Sequence, residues 1–203
     1  MKSNEPLAYR MCPRTIEEFV GQKHIIGKGK LLYRMIKADR ISSIILYGPP
    51  GTGKTSLARV IANSTSSDFK KINAVTSGIA DIRKVVEETQ NYFLNKKGRT
   101  VLFIDEIHRF NKSQQDALLP YVEDGSIVLI GATTENPFFE VNKALISRSS
   151  VFMLKPLEEE DIAEILNSAL KDKERGLGNY NIDISEDVLK HIAKMYNGDA
   201  RAA

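Results

Sequence analysis

Cysteine and tryptophan are almost missing from this sequence of 203 residues, which contains one cysteine and no tryptophan. A single cysteine, Cys12, allows no disulfide framework and no cysteine-based zinc site, so we expect a reducing, cytoplasmic environment. Long apolar runs are also missing, because no stretch approaches the ~18 apolar residues of a membrane span. Charged residues interrupt the first twelve residues, which excludes the apolar core of a signal peptide. These absences argue against a disulfide-rich secreted protein and a membrane-spanning protein.

The net charge of +3 is the difference between two unlike parts of the chain. Residues 1–156 contain 23 basic and 15 acidic residues, whereas residues 157–203 contain 6 and 11. Such an asymmetry marks a domain boundary and favours an acidic partner for the basic part. We therefore predict a first domain over residues 1–156 and a second, incomplete one over residues 157–203.

Short β-branched runs alternate with helical patterns in the first domain. This alternation predicts βαβ units and an α/β fold built on a five-stranded parallel sheet. After Pro156 only helical patterns follow, which predicts part of a separate α-helical subdomain. The predicted strands are residues 44–47, 70–73, 100–104, 127–132 and 151–154.

Local signals predict details of the helices. Asn111 followed by Gln114 predicts a capping box for a helix that carries Leu118 and Leu119, and Pro120 predicts that this helix ends or kinks there. Apolar residues from Ile79 to Phe93 predict an amphipathic helix. Asp199 predicts the start of a further helix near the end of the chain.

The motif with the clearest chemistry lies between the strand at 44–47 and a predicted helix at 55–63. Residues 48–55 read Gly-Pro-Pro-Gly-Thr-Gly-Lys-Thr and match the phosphate-binding pattern G-x-x-x-x-G-K-[ST]. The glycines let the backbone close around phosphates, so that N–H groups and the helix N-terminus face the anion. Lys54 is predicted to reach the β- and γ-phosphates, and Thr55 to ligate Mg²⁺. The predicted binding residues for ATP and Mg²⁺ here are Pro49, Pro50, Gly51, Thr52, Gly53, Lys54, Thr55 and Ser56.

Two carboxylates follow the apolar strand at 100–104. Asp105 and Glu106 lie at its C-terminal end, where ligands bind in open α/β sheets. We predict that Asp105 holds Mg²⁺ through water and that Glu106 polarises a water molecule for attack on the γ-phosphate. A nucleotide kinase or a GTPase does not need the second carboxylate, whereas hydrolysis by an activated water does. The pair therefore predicts an ATP hydrolase.

Four other polar residues are candidates for the same site. Thr134 would bond the γ-phosphate or the attacking water if its strand lies between the first strand and the strand of the carboxylates. Asn73, at another strand end, either holds the Glu106 carboxylate or is an ordinary turn asparagine. Arg148 is either a surface residue or an arginine finger supplied in trans to a neighbouring subunit. Arg201 would reach the γ-phosphate if the helical segment folds back.

A basic segment and three histidines leave alternatives open. Segment 23–40 contains six basic residues and one acidic residue, Asp39. The basic residues form either a solvated helix face or a contact surface for phosphate backbones. The histidines have no ligand-spaced partners, so we predict that they are polar packing or turn residues. The basic residues are Lys23, Lys28, Lys30, Arg34, Lys37 and Arg40, and the histidines are His24, His108 and His191.

The order of these motifs resembles that of AAA+ ATPases of the clamp-loader clade. Within the clade the chain is similar to the replication-associated recombination protein A family, to which Werner-helicase-interacting protein is related. The specific matches are Asp-Glu-Ile-His-Arg-Phe-Asn-Lys over 105–112 and Gly-Ala-Thr-Thr-Glu-Asn-Pro over 131–137. Segments 6–11, 20–24, 147–149 and 198–201 match as well.

The resemblance implies an AAA+ type P-loop NTPase with part of an α-helical lid, acting on DNA at stalled or damaged replication forks. It implies single-stranded or forked DNA and single-stranded-DNA-binding protein as partners, a nucleoid-associated location, and oligomerisation through a C-terminal region outside these residues. Without that region the chain is expected to bind ATP but to hydrolyse it poorly. By resemblance, Leu7, Ala8, Val20 and Gly21 contact adenine, Thr134 is sensor 1, Arg148 is the trans finger and Arg201 is sensor 2. Cys12 departs from the arginine usual in the family.

Three alternative functions remain at this stage. Bacterial clamp-loader subunits insert a cysteine-rich zinc module after the phosphate-loop helix, and this chain has none. A Holliday-junction branch-migration motor shares the threonine pair but not Glu-Asn-Pro at 135–137. The third alternative is a non-catalytic scaffold whose conformation is switched by ATP binding. The intact Asp105 and Glu106 argue against it.

Overall fold

A parallel sheet forms the centre of the computed structural model, which describes residues 5–65, 67–90, 99–182 and 184–203. Across these residues the strand order is β2-β3-β4-β1-β5, and every neighbouring pair is parallel. The predicted α/β fold with a five-stranded parallel sheet is thereby confirmed. The strands are β1 (Ser43–Tyr47), β2 (Asp68–Asn73), β3 (Thr100–Asp105), β4 (Ile127–Thr133) and β5 (Ser149–Met153).

Helices and loops connect the strands in the described chain. A 3₁₀ turn, Ile107–Arg109, follows β3 directly. Phe93, predicted on the helix after β2, lies outside the described residues. The helices are α1 (Leu7–Arg10), α2 (Lys23–Ile26), α3 (Leu31–Lys37), α4 (Lys54–Ser64), α5 (Ile79–Gln90), α6 (Lys112–Asp116), α7 (Leu119–Glu123), α8 (Pro137–Glu140), α9 (Lys143–Ile146), α10 (Glu159–Lys171) and α11 (Glu186–Met195).

The central strands are buried on both faces, as their nearly continuous apolar sequences require. Leu57 and Ile61 of α4 pack with Phe103 in the cluster on one side of the sheet. Ile82 of α5 packs with Leu129 in the cluster on the other side. Each such side chain contributes about 1.5–3 kcal/mol by leaving water. The strand ends that carry polar residues are therefore held by a packed core.

The strand order brings the carboxyl ends of three strands together. β4 lies between β1 and β3, with Tyr47 beside Thr133 and Ile104 beside Gly131. This placement is the condition on which the prediction for Thr134 depended. The phosphate-loop motif, the carboxylate pair and the threonine pair consequently follow adjacent strands.

The capping box at the start of α6 is confirmed, but Pro120 does not end or kink a helix that carries Leu118 and Leu119. Asn111 Oδ1 accepts the N–H of Gln114 at 2.9 Å, and the Gln114 side chain accepts the N–H of Asn111 at 2.8 Å. Helix α6 ends at Asp116, and Pro120 lies in the first turn of α7. Proline is tolerated there because a first-turn residue has no helical partner for its N–H.

Residues 157–203 contain α10 and α11, which share a small apolar cluster of Leu157, Ile162 and Ala193. The helix predicted from Asp199 is replaced by a turn in which Asp199 Oδ1 accepts the N–H of Arg201 at 2.8 Å. The division at Pro156 remains a prediction. In the described part of the chain no helix is long and apolar enough to cross a membrane.

Candidate active site

The loop of residues 48–53 leads from β1 into the N-terminus of α4. Gly51 and Gly53 have φ values of +74° and +95°, which residues with a Cβ rarely adopt. Lys54 is buried, and its Nζ donates to the carbonyl oxygens of Gly48 at 2.6 Å and Pro49 at 2.7 Å. The loop is thus folded over the start of an eleven-residue helix, where N–H groups without helical partners and the helix dipole favour an anion.

The charges around Lys54 come from two separate parts of the chain. Burial lowers the pKa of Lys54, the nearby carboxylates of Glu106 and Asp105 act in the opposite direction, and Arg201 lowers it further. A buried ammonium is stabilised by an anionic partner. A polyphosphate on the loop would supply that charge.

The two carboxylates differ in their surroundings. Asp105 ends β3, and its Oδ2 lies 3.0 Å from Lys71 Nζ of β2. Glu106 has a left-handed backbone, with φ 55° and ψ 44°, and begins the 3₁₀ turn. Non-glycine residues in this region are uncommon and are enriched at functional sites. The strand therefore ends abruptly between the two carboxylates.

Asn73 does not hold Glu106, contrary to one of our hypotheses. Its Oδ1 accepts the N–H of Val75 at 2.9 Å, as in an ordinary turn, and no hydrogen bond joins it to Glu106 in the described structure. His108 takes that place: its Nδ1 lies 3.4 Å from Glu106 Oε2 and 2.8 Å from Thr133 Oγ1. His108 is a largely buried polar residue in the 3₁₀ turn, which agrees with the predicted polar packing or turn role, but its contact with Glu106 was not predicted. Its position two residues after Glu106 was the available signal.

The remaining predicted site residues are Thr134, Arg201 and Arg148. Thr134 is exposed directly after β4. Arg201 follows Asp199, whose Oδ1 would lie 2.1 Å from a Cβ placed on Gly51, so this turn rests against the loop. Arg148 is exposed on the surface, where its Nη2 lies 2.6 Å from Glu123 Oε1.

The N-terminal segment packs against the loop and the start of residues 157–203. Gln22 is buried, and its Nε2 donates to the carbonyl oxygens of Thr52 at 3.3 Å and Lys155 at 2.7 Å. Sequence reasoning did not assign Gln22, because a glutamine in a loop carries no spacing signal. Of the residues predicted to contact adenine, Leu7 and Ala8 lie in α1, and Val20 and Gly21 precede Gln22.

Cys12 joins the N-terminal segment to the phosphate-loop helix. Its Sγ donates to Ser56 Oγ at 3.4 Å. Gly21 approaches the other side of the site, since a Cβ there would lie 2.5 Å from Leu157 Cδ2. The four predicted adenine residues are therefore in the segment that borders both the loop and the helical part.

The donor atoms suit a magnesium nucleotide. The Thr55 hydroxyl and the Asp105 carboxylate are oxygen ligands of the kind that Mg²⁺ prefers. Mg²⁺ in proteins is usually bound by one or two such groups together with substrate phosphates and water. The three positive-φ glycines of the loop, Gly48, Gly51 and Gly53, let its backbone turn at the helix N-terminus, where phosphates bind.

Comparison with known proteins agrees with this geometry. The family model described as ATPase family associated with various cellular activities (AAA) matches residues 44–157. The chain belongs to the AAA family of ATPases. The matched AAA region begins at the second residue of β1 and includes β2 to β5, the loop and both carboxylates.

Relatives of this AAA chain include replication-associated recombination protein A from Escherichia coli strain K12, which is 51% identical over 98% of this chain and 44% of its own length. The protein of that name from Bacillus subtilis strain 168 is 47% identical over 98% of this chain and 46% of its own length. The solved Thermotoga maritima RuvB Holliday junction branch migration motor matches with a TM-score of 0.75 and 27% identity, over 95% of this chain and 62% of that one. The resemblance to the replication-associated recombination protein A family is confirmed. The chain spans less than half the length of these two curated relatives.

Proposed function

We propose that this AAA chain is the ATP-hydrolysing part of a protein that acts on DNA at stalled or damaged replication forks, in recombination and replication restart. The observation that carries the proposal is the convergence of the phosphate loop, the Asp105-Glu106 pair and the end of β4 at one edge of the sheet. Family membership supports ATPase activity. The similarity to replication-associated recombination protein A supports DNA replication and recombination as its setting.

Each group of residues in the site has a different role in hydrolysis. The loop N–H groups and Lys54 bind and orient the β- and γ-phosphates. Thr55 and Asp105 would hold Mg²⁺, which supplies charge neutralisation at the phosphates. Glu106 accepts a proton from the water that attacks the γ-phosphorus, and Thr134 orients that water. The residues proposed for the adenine are Leu7, Ala8, Val20 and Gly21, and those for the phosphates are Pro49, Pro50, Gly51, Thr52, Gly53, Lys54, Thr55, Ser56 and Arg201.

The site is completed by a second copy of the chain. Arg148 is exposed and its ion pair with Glu123 lies at the surface, where such pairs are weak enough to exchange partners. We propose that Arg148 stabilises transition-state charge in the neighbouring subunit of a homo-oligomer assembled through a C-terminal region. The same proposal includes association with single-stranded-DNA-binding protein and a cytoplasmic, nucleoid-associated location.

The DNA partner is supported by the basic segment 23–40. Its six basic side chains are all exposed, and in the described structure only Lys37 forms an ion pair, with Glu17 at 3.0 Å. Unpaired lysines and arginines on one segment are suited to phosphate backbones.

The decisive experiment is the ATPase rate of the full-length protein with single-stranded, duplex and forked DNA, each titrated with salt. We expect single-stranded or forked DNA to raise the rate, and the stimulation to fall steeply with salt because phosphate contacts displace counterions. The full-length Glu106→Gln variant is the control and should show no stimulated turnover. A rate that no DNA changes at low salt would contradict the proposal.

A Holliday-junction motor is the second candidate, because the matched RuvB structure is described as a branch migration motor. The two functions differ in their preferred DNA. Migration of a four-way junction by the full-length protein, with more stimulation by junctions than by forks, would favour the motor.

A further inference from the structure

Two hydrogen bonds join the phosphate loop to His108 through Thr133, and the same imidazole nitrogen lies within ion-pair distance of Glu106. The N–H of Gly48 donates to the carbonyl oxygen of Thr133 at 3.2 Å. Thr133 Oγ1 lies 2.8 Å from His108 Nδ1, and that nitrogen lies 3.4 Å from Glu106 Oε2. Thr133 is fully buried, and the His108 side chain is only 8% exposed. The imidazole is therefore a buried polar group with one nitrogen facing two oxygens.

The surrounding atoms favour a proton on Nδ1 of His108. The N–H of Glu135 donates to Thr133 Oγ1 at 3.0 Å, and this hydroxyl has its own acceptor in the Glu135 carbonyl oxygen at 3.4 Å. The ionised Glu106 carboxylate can only accept. A bare Nδ1 would place its lone pair against that carboxylate. With its proton on Nδ1, the imidazole donates to Thr133 Oγ1 and presents the same N–H towards Glu106 Oε2.

We propose that His108 is a positioning residue for Glu106, whose carboxylate it anchors through Nδ1–H beside the attacking water. The inference rests on the proposed function, in which Glu106 is the base. In the described chain, His108 is the one side chain within ion-pair distance of Glu106. Thr133 fixes the imidazole and is itself bonded to Gly48. The position of the base is thereby tied to the first residue of the phosphate loop.

The test compares His108→Ala with His108→Asn in the full-length protein. The Nδ2 of asparagine occupies nearly the position of the histidine Nδ1 relative to the main chain, so His108→Asn keeps the donor but not the ring. We expect kcat to fall about tenfold or more in His108→Ala and to stay within about threefold of wild type in His108→Asn. The KM for ATP and the binding of a fluorescent ATP analogue should be unchanged in both. His191→Ala, which removes an exposed histidine of α11, is the matched control.

A structural role would produce a different pattern. Loss of packing would lower Tm and ATP binding together, and asparagine would not restore activity because it does not fill the volume of the ring. An unchanged kcat in His108→Ala, or a His108→Asn variant as slow as His108→Ala, would overturn the inference.

The double variant Glu106→Gln with His108→Ala separates this inference from the proposed function. A residue that acts through Glu106 has nothing left to position once the carboxylate is gone, so the double variant should be no slower than Glu106→Gln alone. A further large decrease would overturn the positioning role. Full turnover in Glu106→Gln would instead overturn the assignment of the base, and the positioning role with it.

Discussion

Two residues with unusual backbone conformations lie at the candidate site. Glu106 and Gln22 both have positive φ, at 55° and 51°. Such conformations cost about 1–3 kcal/mol and persist where neighbouring contacts determine them. Gln22 is held by its bonds to Thr52 and Lys155, and Glu106 is followed by Ile107, which is fully buried. The packing that surrounds each residue offsets its strain.

Replacement of the proposed base gives the first prediction, at the scale of one residue. Glu106→Gln in the full-length protein should retain ATP binding, because the phosphate loop is unchanged, while turnover falls by about 10²- to 10⁴-fold. Steady-state ATPase rates and titration with a fluorescent ATP analogue measure the two effects. Glu87→Gln, which neutralises an exposed carboxylate of α5, should leave both unchanged. Normal turnover in Glu106→Gln would falsify the assignment.

Among the elements, the phosphate loop depends on glycine for space as well as for conformation. Gly51 and Gly125 both have φ of +74°, so substitution by alanine has the same conformational cost of about 1–2 kcal/mol at each position. Only at Gly51 does a Cβ meet another group, Asp199 Oδ1 at 2.1 Å, whereas nothing lies within 4 Å at Gly125. The two positions form a matched pair.

The prediction for this pair concerns ATP affinity. Gly51→Ala should weaken ATP binding about tenfold or more, because the Cβ pushes the turn that carries Arg201 away from the loop. Gly125→Ala should bind ATP normally, with a similar loss of backbone stability. Titration with a fluorescent ATP analogue and thermal unfolding give the two readouts. Equal affinities in the two variants would show that the contact with Asp199 is unimportant.

The C-terminal end of α10 gives a prediction about pH. Asp172 accepts the N–H groups of Arg175 and Glu174 and the Nε of Arg175, and these bonds, chiefly the one from the Arg175 backbone, lower its pKa to about 2. A carboxyl group with a lowered pKa stabilises the folded state above its unfolded pKa of about 4, and this stabilisation is lost as the pH falls towards 2.

Asp172→Asn should therefore lower Tm by about 2–4 °C at pH 7, where the wild-type carboxylate is charged in both states. The difference between the two proteins should shrink between about pH 4 and pH 2. Thermal unfolding followed by circular dichroism at several pH values is the measurement. Glu164→Gln, an exposed change on the same helix, should show no such pH dependence. A constant Tm difference down to the lowest pH would contradict the role of the Asp172 charge.

At the scale of the whole molecule, the trans role of Arg148 is tested by mixing inactive subunits. Full-length Arg148→Ala and Glu106→Gln should each be slow alone. After mixing and reassembly some interfaces pair an intact Glu106 with an intact Arg148, about a quarter of them at equal ratio in a ring with head-to-tail contacts. We expect ATPase activity to recover in proportion.

The mixing experiment needs a control for the loss of an arginine and a control for subunit exchange. Arg83→Ala, which removes an exposed arginine of α5, should be active alone and should not require mixing. Absence of recovery at every ratio, with exchange confirmed by labelled subunits, would contradict a finger supplied in trans.

The sequence predicted the strands well and the side-chain partners poorly. Buried strands follow from runs of apolar residues, so β3 and β4 were located to within one residue of their observed ends. The helix predicted at Asp199 was wrong, and the sequence could not choose between the two alternatives for Asn73, because a short local pattern fits a cap, a turn or a ligand equally well. The role of His108 depends on Thr133, which is 25 residues away in the chain and adjacent only because β3 and β4 pair.

The sequence by itself determined the α/β class, the phosphate loop and the carboxylate pair, because these depend on periodicity and on residues that are close in the chain. Only the tertiary structure decided which strand lies between the loop and the carboxylates, and that His108 rather than Asn73 lies against Glu106. It also decided that Asp199, which is 148 positions further along the chain, lies against Gly51 and leaves no room for a Cβ at that glycine. Contacts of this kind depend on the packing of the sheet, which no local pattern encodes.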